Sequence, residues 1–169
     1  LLLKHWPNID AIDAGNVLVP LCGKSLDMLW LAEQGYTIVG PEMVQQAVET
    51  FFTENQLEFD MIEIGKHKKF SSHPFTIFQG DLFDLDIGVI QADSWYDRAA
   101  LIAIEPSKRE NYVDQIRKQT KLGAVGLLIT FAYPQEQMQG PPYALHYDDV
   151  TLLFSDGFEL ECLEKIDLE

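Results

Sequence analysis

Short apolar runs alternate along this chain with longer stretches in which apolar residues recur every three or four positions. That alternation predicts βαβ units and a mainly parallel sheet. The predicted strands are 16–20, 37–40, 75–78, 93–96, 124–132 and 158–166, and the predicted helices are 25–34, 43–55, 107–119 and 147–154. In the first helix Leu26, Leu29, Trp30 and Ala32 form the inner side, and Gly35 suits its C-terminal cap. The second helix buries Val44, Ala47, Val48 and Phe51; the third, after Pro106, turns Tyr112, Val113 and Ile116 inward. Segment 124–132 is the most apolar run and is expected at the centre of the sheet. Trp30, Trp95 and most phenylalanines are assigned to the core, and the polar stretch 65–72 to a loop.

Chemistry concentrates where predicted strands end. The first runs into a turn, Leu21-Cys22-Gly23-Lys24-Ser25, and the second ends beside Glu42, 19 residues after Gly23. In a doubly wound α/β fold, a glycine turn and an acid about 20 residues later face one crevice, where the acid holds ribose hydroxyls. A dinucleotide fingerprint needs three glycines, but Ser25 and Met28 stand where the later two belong. A phosphate-binding loop needs a glycine where Leu18 lies, so Gly23-Lys24-Ser25 is a decoy. A phosphate-free nucleoside cofactor, S-adenosylmethionine, needs only the turn, the acid and a slot for the base. The rival reading of Glu42 is an ordinary acid at a helix N-terminus.

Composition narrows the partners. A net charge of −15 argues against nucleic acid, and the one basic cluster, Lys66-His67-Lys68-Lys69, reads as a solvated loop. No apolar run approaches the roughly 20 residues that span a bilayer, and no signal peptide is visible. Cys22 and Cys162 make no disulfide framework, and Cys22 reads as a small buried residue of the turn. His5, His67, His73 and His146 lack ligand spacing, so no metal is expected.

Val19-Pro20-Leu21-Cys22-Gly23-Lys24-Ser25-Leu26-Asp27-Met28, Val39-Gly40-Pro41-Glu42, Tyr96-Asp97-Arg98-Ala99-Ala100-Leu101 and Gly140-Pro141-Pro142-Tyr143 occur in that order. Together they resemble the thiopurine S-methyltransferase family, in its bacterial form, over nearly the whole chain. The resemblance implies a Rossmann-like class I methyltransferase fold, a mainly parallel twisted sheet with helices on both faces. It implies S-adenosylmethionine as cofactor, with Leu21, Gly23, Glu42, Asp81, Leu82 and Arg98 around it, Asp81 and Leu82 on the adenine side. Asp97 and Arg98 would be the catalytic pair, and Pro142 and Tyr143 would lie on the substrate side. Pro41 departs from the family's small apolar residue and, lacking an N–H, is expected to alter the strand end. The family also has an N-terminal segment and a final strand outside residues 1–169, so the expectation is one methyltransferase domain lacking both.

Methyl transfer from a sulfonium is an in-line displacement that removes positive charge, so positioning and water exclusion matter most. Arg98 is expected to favour an anionic thiol acceptor, with Asp97 orienting that arginine or the cofactor. The loop from Tyr133 to Tyr143 is either a lid or substrate wall, or a plain connector. The alternatives are a transferase for small selenium, tellurium or thiol species, and a non-catalytic cofactor-binding module. A nicotinamide oxidoreductase is disfavoured by the single glycine. A cytoplasmic monomer acting on a small molecule is expected.

Overall fold

The computed structural model describes residues 1–168. Its elements in chain order are α1 (Leu2–His5), β1 (Asn16–Leu18), α2 (Leu26–Glu33), β2 (Thr37–Glu42), α3 (Gln45–Glu54), β3 (Asp60–Ile64), β4 (His67–Ser72), β5 (Phe75–Gln79), β6 (Ala92–Asp97), α4 (Arg109–Gln119), β7 (Thr120–Leu128) and α5 (Tyr147–Leu153). One seven-stranded sheet runs in the order β3-β4-β5-β2-β1-β6-β7. Strands β5, β2, β1, β6 and β7 are parallel, and β3 and β4 add an antiparallel hairpin to the β5 edge.

Side-chain alternation on the strands builds two cores. Val17, Val19, Ile38, Ile77 and Tyr96 face α2 and α3, where they meet Met28, Leu31, Val48, Phe51 and Phe52. Leu18, Phe78 and Trp95 face the other way, toward Tyr112, Val113 and Ile116 of α4 and Val150 and Phe154 around α5. Burial on both faces is why the inner strands read as nearly continuous apolar runs. Trp95 stacks on Phe154 with ring centroids 5.8 Å apart, and a Cβ at Gly126 on β7 would lie 1.9 Å from the Trp95 indole. Ser25 caps α2 by accepting the Asp27 N–H at 3.2 Å, and Gly35 closes it at φ +96°.

From β1 the chain winds outward to β2 and β5 on one side, then crosses back to β6 on the other. The crevice outside the carboxyl ends of β1 and β6 is therefore the topological switch point, where open α/β sheets bind ligands.

Several expectations are corrected. Residues 65–72 are not a loop: β4 and β3 pair across the Gly65-Lys66 turn, with Ile64 opposite His67. Lys66, Lys68 and Lys69 on a hairpin whose outer strand is exposed throughout hide the strand period, and His67 is buried. The fifth parallel strand spans Thr120–Leu128 and lies at the end of the sheet. Its Leu127 joins the α2–α3 core, Leu128 borders the other, and Leu122 is exposed. Leu26 is exposed because it begins α2 beyond the buried Met28–Leu31 face, and Val44 is exposed as the residue preceding α3. Segment 158–166 alternates like a strand, but no β-ladder includes it, and a strand exists only through its partner's hydrogen bonds. Pro41 leaves β2 unbroken; it pairs with Phe78, and its carbonyl accepts the Cys22 N–H at 3.2 Å.

Candidate active site

The turn after β1 is shaped by two left-handed residues, Leu21 at φ +47° and Gly23 at φ +52°. A leucine held there costs about 1–2 kcal/mol, so the surrounding contacts enforce the turn. One contact is Cys22 over Gly40: a Cβ on that glycine would come within 2.6 Å of the cysteine Sγ. Burial, and then the Glu42 charge, push the Cys22 thiol far up, so it stays protonated and serves as packing. Glu42, the last residue of β2, ties two loops together. Its Oε2 accepts the Gly23 N–H at 2.8 Å and its Oε1 accepts the Val44 N–H at 3.0 Å. Each oxygen keeps a lone pair for a hydroxyl donor, and the space above Gly23 is open apart from Glu42 itself.

At the end of β5, Asp81 caps a 3₁₀ turn, Leu82–Asp84, by accepting the Phe83 N–H at 2.9 Å. Leu82 is buried on the α4 side with Phe78 and Leu85, and its carbonyl accepts the Leu85 N–H at 3.2 Å.

At the end of β6 the two neighbouring charges point apart. Asp97 is buried and accepts the Ala100 N–H at 2.9 Å, the Leu101 N–H at 3.1 Å and the Tyr112 hydroxyl at 2.5 Å. Burial pushes its carboxyl up to about 6, against the lowering effect of these donors. Asp97 thus builds the loop that presents Arg98. The arginine is oriented by Asp27 in the first turn of α2, whose Oδ2 accepts Arg98 Nη1 at 3.2 Å and the Tyr96 hydroxyl at 2.8 Å. This replaces the expectation that Asp97 orients Arg98. The Arg98 side chain remains 66% exposed, and Asp27 keeps its guanidinium firmly charged. Burial and Asp27 push the Tyr96 phenol up, so it remains a donor.

After β7, the segment holding Pro142 and Tyr143 is fixed by its main chain. The Tyr133 hydroxyl donates to the Pro142 carbonyl, Tyr143 N–H to Ile102 O at 2.7 Å, and Leu145 N–H to Phe131 O at 2.7 Å. Ala144 donates to Gln135 Oε1 at 3.0 Å and accepts from the buried Arg109 Nη2 at 3.2 Å. These contacts tie the segment to the body of the fold. Two surface hollows of about 470 and 350 Å³ lie elsewhere, and neither is lined by Gly23, Glu42 or Arg98.

Leu21, Gly23, Glu42, Asp81, Leu82, Asp97, Arg98, Pro142 and Tyr143 thus all follow or end parallel strands at one edge of the sheet. Asp27, Tyr96, Tyr112, Arg109 and Gln135 were not anticipated. Asp27 and Tyr96 lie in stretches that resemble the family; Tyr112, Arg109 and Gln135 carry no such signal.

The fold is that of a Rossmann-like class I methyltransferase. A Methanosarcina mazei S-adenosylmethionine-dependent methyltransferase structure superposes with a TM-score of 0.66 at 16% identity, covering 86% of this chain and 79% of that one. A glycopeptide N-methyltransferase complexed with S-adenosyl-L-methionine gives 0.58 at 12% identity, covering 78% of this chain and about half, 54%, of that one. The family model for thiopurine S-methyltransferase matches residues 1–169. A Shewanella pealeana thiopurine S-methyltransferase is 43% identical over 169 residues, 99% of this chain and 77% of the relative. The chain belongs to the thiopurine S-methyltransferase family. It is a methyltransferase, and its cofactor is S-adenosylmethionine. Among the described residues no helix is long and apolar enough to cross a membrane, and no cluster of His, Cys, Asp or Glu is placed to hold a metal.

Proposed function

We propose that this methyltransferase acts on the sulfur of an aromatic or heterocyclic thiol of thiopurine type. The observation that carries the reading is Arg98: a charged guanidinium at the switch-point crevice, anchored through Nη1 to Asp27 and otherwise open. A cation held this way favours a thiolate over the neutral thiol, and a thiol that ionises near neutral pH then needs no general base. The names of the relatives support the same acceptor.

Bound S-adenosylmethionine supplies an electrophilic methyl on a sulfonium. Glu42 would hold the ribose hydroxyls, the Leu21–Gly23 turn would lie beneath the cofactor, and Asp81 with the Leu82 main chain would border the base. Asp97 would act indirectly, by fixing the loop that carries Arg98. Pro142 and Tyr143, on their anchored segment, would form the acceptor wall and limit water. The −15 charge favours well-dispersed monomers.

The test is titration with S-adenosylmethionine followed by turnover of heteroaromatic thiols. Glu42→Ala should abolish measurable cofactor binding. Arg98→Ala should lower turnover at least about tenfold, the scale of one lost charge-assisted contact. Unchanged turnover in Arg98→Ala would overturn the assignment. Turnover of selenium or tellurium species but of no heteroaromatic thiol would move the acceptor to a small metalloid.

A further inference from the structure

His67 opens β4 on the antiparallel hairpin, one residue before the Lys68–Gln79 pair with β5, and so lies level with Gly80. Its neighbour Lys66 is exposed, yet His67 is only 5% exposed. Its Nε2 donates to the Asp81 carbonyl at 2.7 Å. The ring also fills the space beside Gly80: a Cβ there would lie 2.6 Å from His67 Cδ2, and the glycine holds φ +147°. On the inner side of the same turn, Gly80 donates its N–H to the Glu42 carbonyl at 2.9 Å. The β5 turn is therefore gripped from two sides, by the main chain of the ribose-side acid and by a histidine from the added hairpin. Through Glu42 this grip is continuous with the Gly23 turn.

We propose that His67 is a positioning residue for cofactor binding, fixing the Gly80–Leu82 turn against which the nucleoside base lies. This rests on the reading that Glu42 holds the ribose: a base extending from that ribose away from Arg98 passes over the end of β5, the strand beside β2. His67 touches neither the reacting atoms nor the acceptor wall. Its loss weakens the nucleoside end of the site and leaves the methionine end alone.

The experiment titrates the purified protein with S-adenosylmethionine, S-adenosylhomocysteine and 5′-methylthioadenosine, which lacks the amino-acid tail. His67→Phe keeps a ring beside Gly80 but removes the donor; His67→Gln restores an amide N–H near the Nε2 position. The Phe variant should lose affinity for all three ligands by a common factor of about tenfold, the scale of one hydrogen bond. The Gln variant should recover most of it. In the ligand-free protein, amide exchange at Phe83 and Leu85 should quicken in the Phe variant alone. Should His67→Phe not fold, His67→Met, with similar bulk and no donor, takes its place. Wild-type affinities in the donor-less variant, or a loss confined to the two ligands with the amino-acid tail, overturns the assignment. If Glu42→Ala abolishes binding while His67→Phe does not, only the role of His67 falls; if the wild type binds none of the three, both readings fall.

Discussion

Asp27 and Arg98 meet at 3.2 Å across the mouth of the crevice, one from the start of α2 and the other from the end of β6. The same Asp27 oxygen also takes the Tyr96 hydroxyl. With its hydroxyl fixed by a buried ring, Tyr96 locates Asp27, and Asp27 locates the guanidinium. Because the arginine is largely exposed, the ion pair contributes little to folding. Its effect lies in aim.

Asp27→Asn should therefore reduce kcat on a heteroaromatic thiol about tenfold, the cost of losing a charged partner, while the melting temperature stays close to wild type. Tyr96→Phe should show a smaller kcat loss with some loss of stability. Steady-state kinetics beside thermal melts check this; a kcat unchanged in Asp27→Asn would leave Arg98 without its proposed anchor.

Asp97 gives a pH signature. Its folded-state carboxyl titrates near 6, above the ordinary 3.8, chiefly through burial. The folded protein thus binds this proton more readily than the unfolded chain. Its stabilising contribution is complete below about 4, is lost as pH rises through 6, and is flat beyond. Asp97→Asn keeps an acceptor and lacks the titration. The stability difference, wild type minus variant, should fall between pH 4 and 6 and then level off. Parallel melting profiles across that window would contradict it.

The proposed placement of Pro142 and Tyr143 beside the acceptor predicts a split between the two substrates. Gln135→Ala removes the partner of the Ala144 N–H, and Arg109→Met removes the donor to its carbonyl. Each should raise KM for the thiol about three- to tenfold, in line with one hydrogen bond. S-adenosylmethionine affinity, measured by titration, should hold. Equal losses toward both would mean that the segment supports the whole crevice.

Gly126→Ala should destabilise the fold by about 1–3 kcal/mol, the usual cost of overpacking, since its methyl would overlap the Trp95 indole. Introduced beside Trp95→Leu, the same change should cost less, because the two positions share one space. Urea denaturation of the four proteins of this cycle measures the coupling.

The legible parts of the sequence were those whose signal is local. Asn16–Leu18, Thr37–Glu42 and Ala92–Asp97 announce themselves as apolar runs because both faces of the sheet are covered. The Gly23–Glu42 relationship is legible from the spacing together with the place of Glu42 after the second strand, and in the structure the two meet through a hydrogen bond. What stayed hidden depends on tertiary placement. Lys66 to Lys69 reads as solvated polarity until β5 is available for pairing, and nothing near His67 in the chain reveals that Gly80 will lie beneath its ring. Asp97 and Arg98 are adjacent in sequence and serve different partners, because successive residues at a strand end point to opposite sides. The bond from Asp27 spans 71 residues, and that from Arg109 to Ala144 spans 35. Neither leaves a pattern in a single chain.

The segment around Pro142 and Tyr143 is held through peptide groups, with donors and acceptors reaching its backbone from Tyr133, Ile102, Gln135, Arg109 and Phe131. Peptide groups are the same whatever side chain they carry. On the proposed reading that this segment borders the acceptor, its side chains can drift over generations while the scaffold beneath them keeps its shape, so a change of acceptor requires no change of architecture.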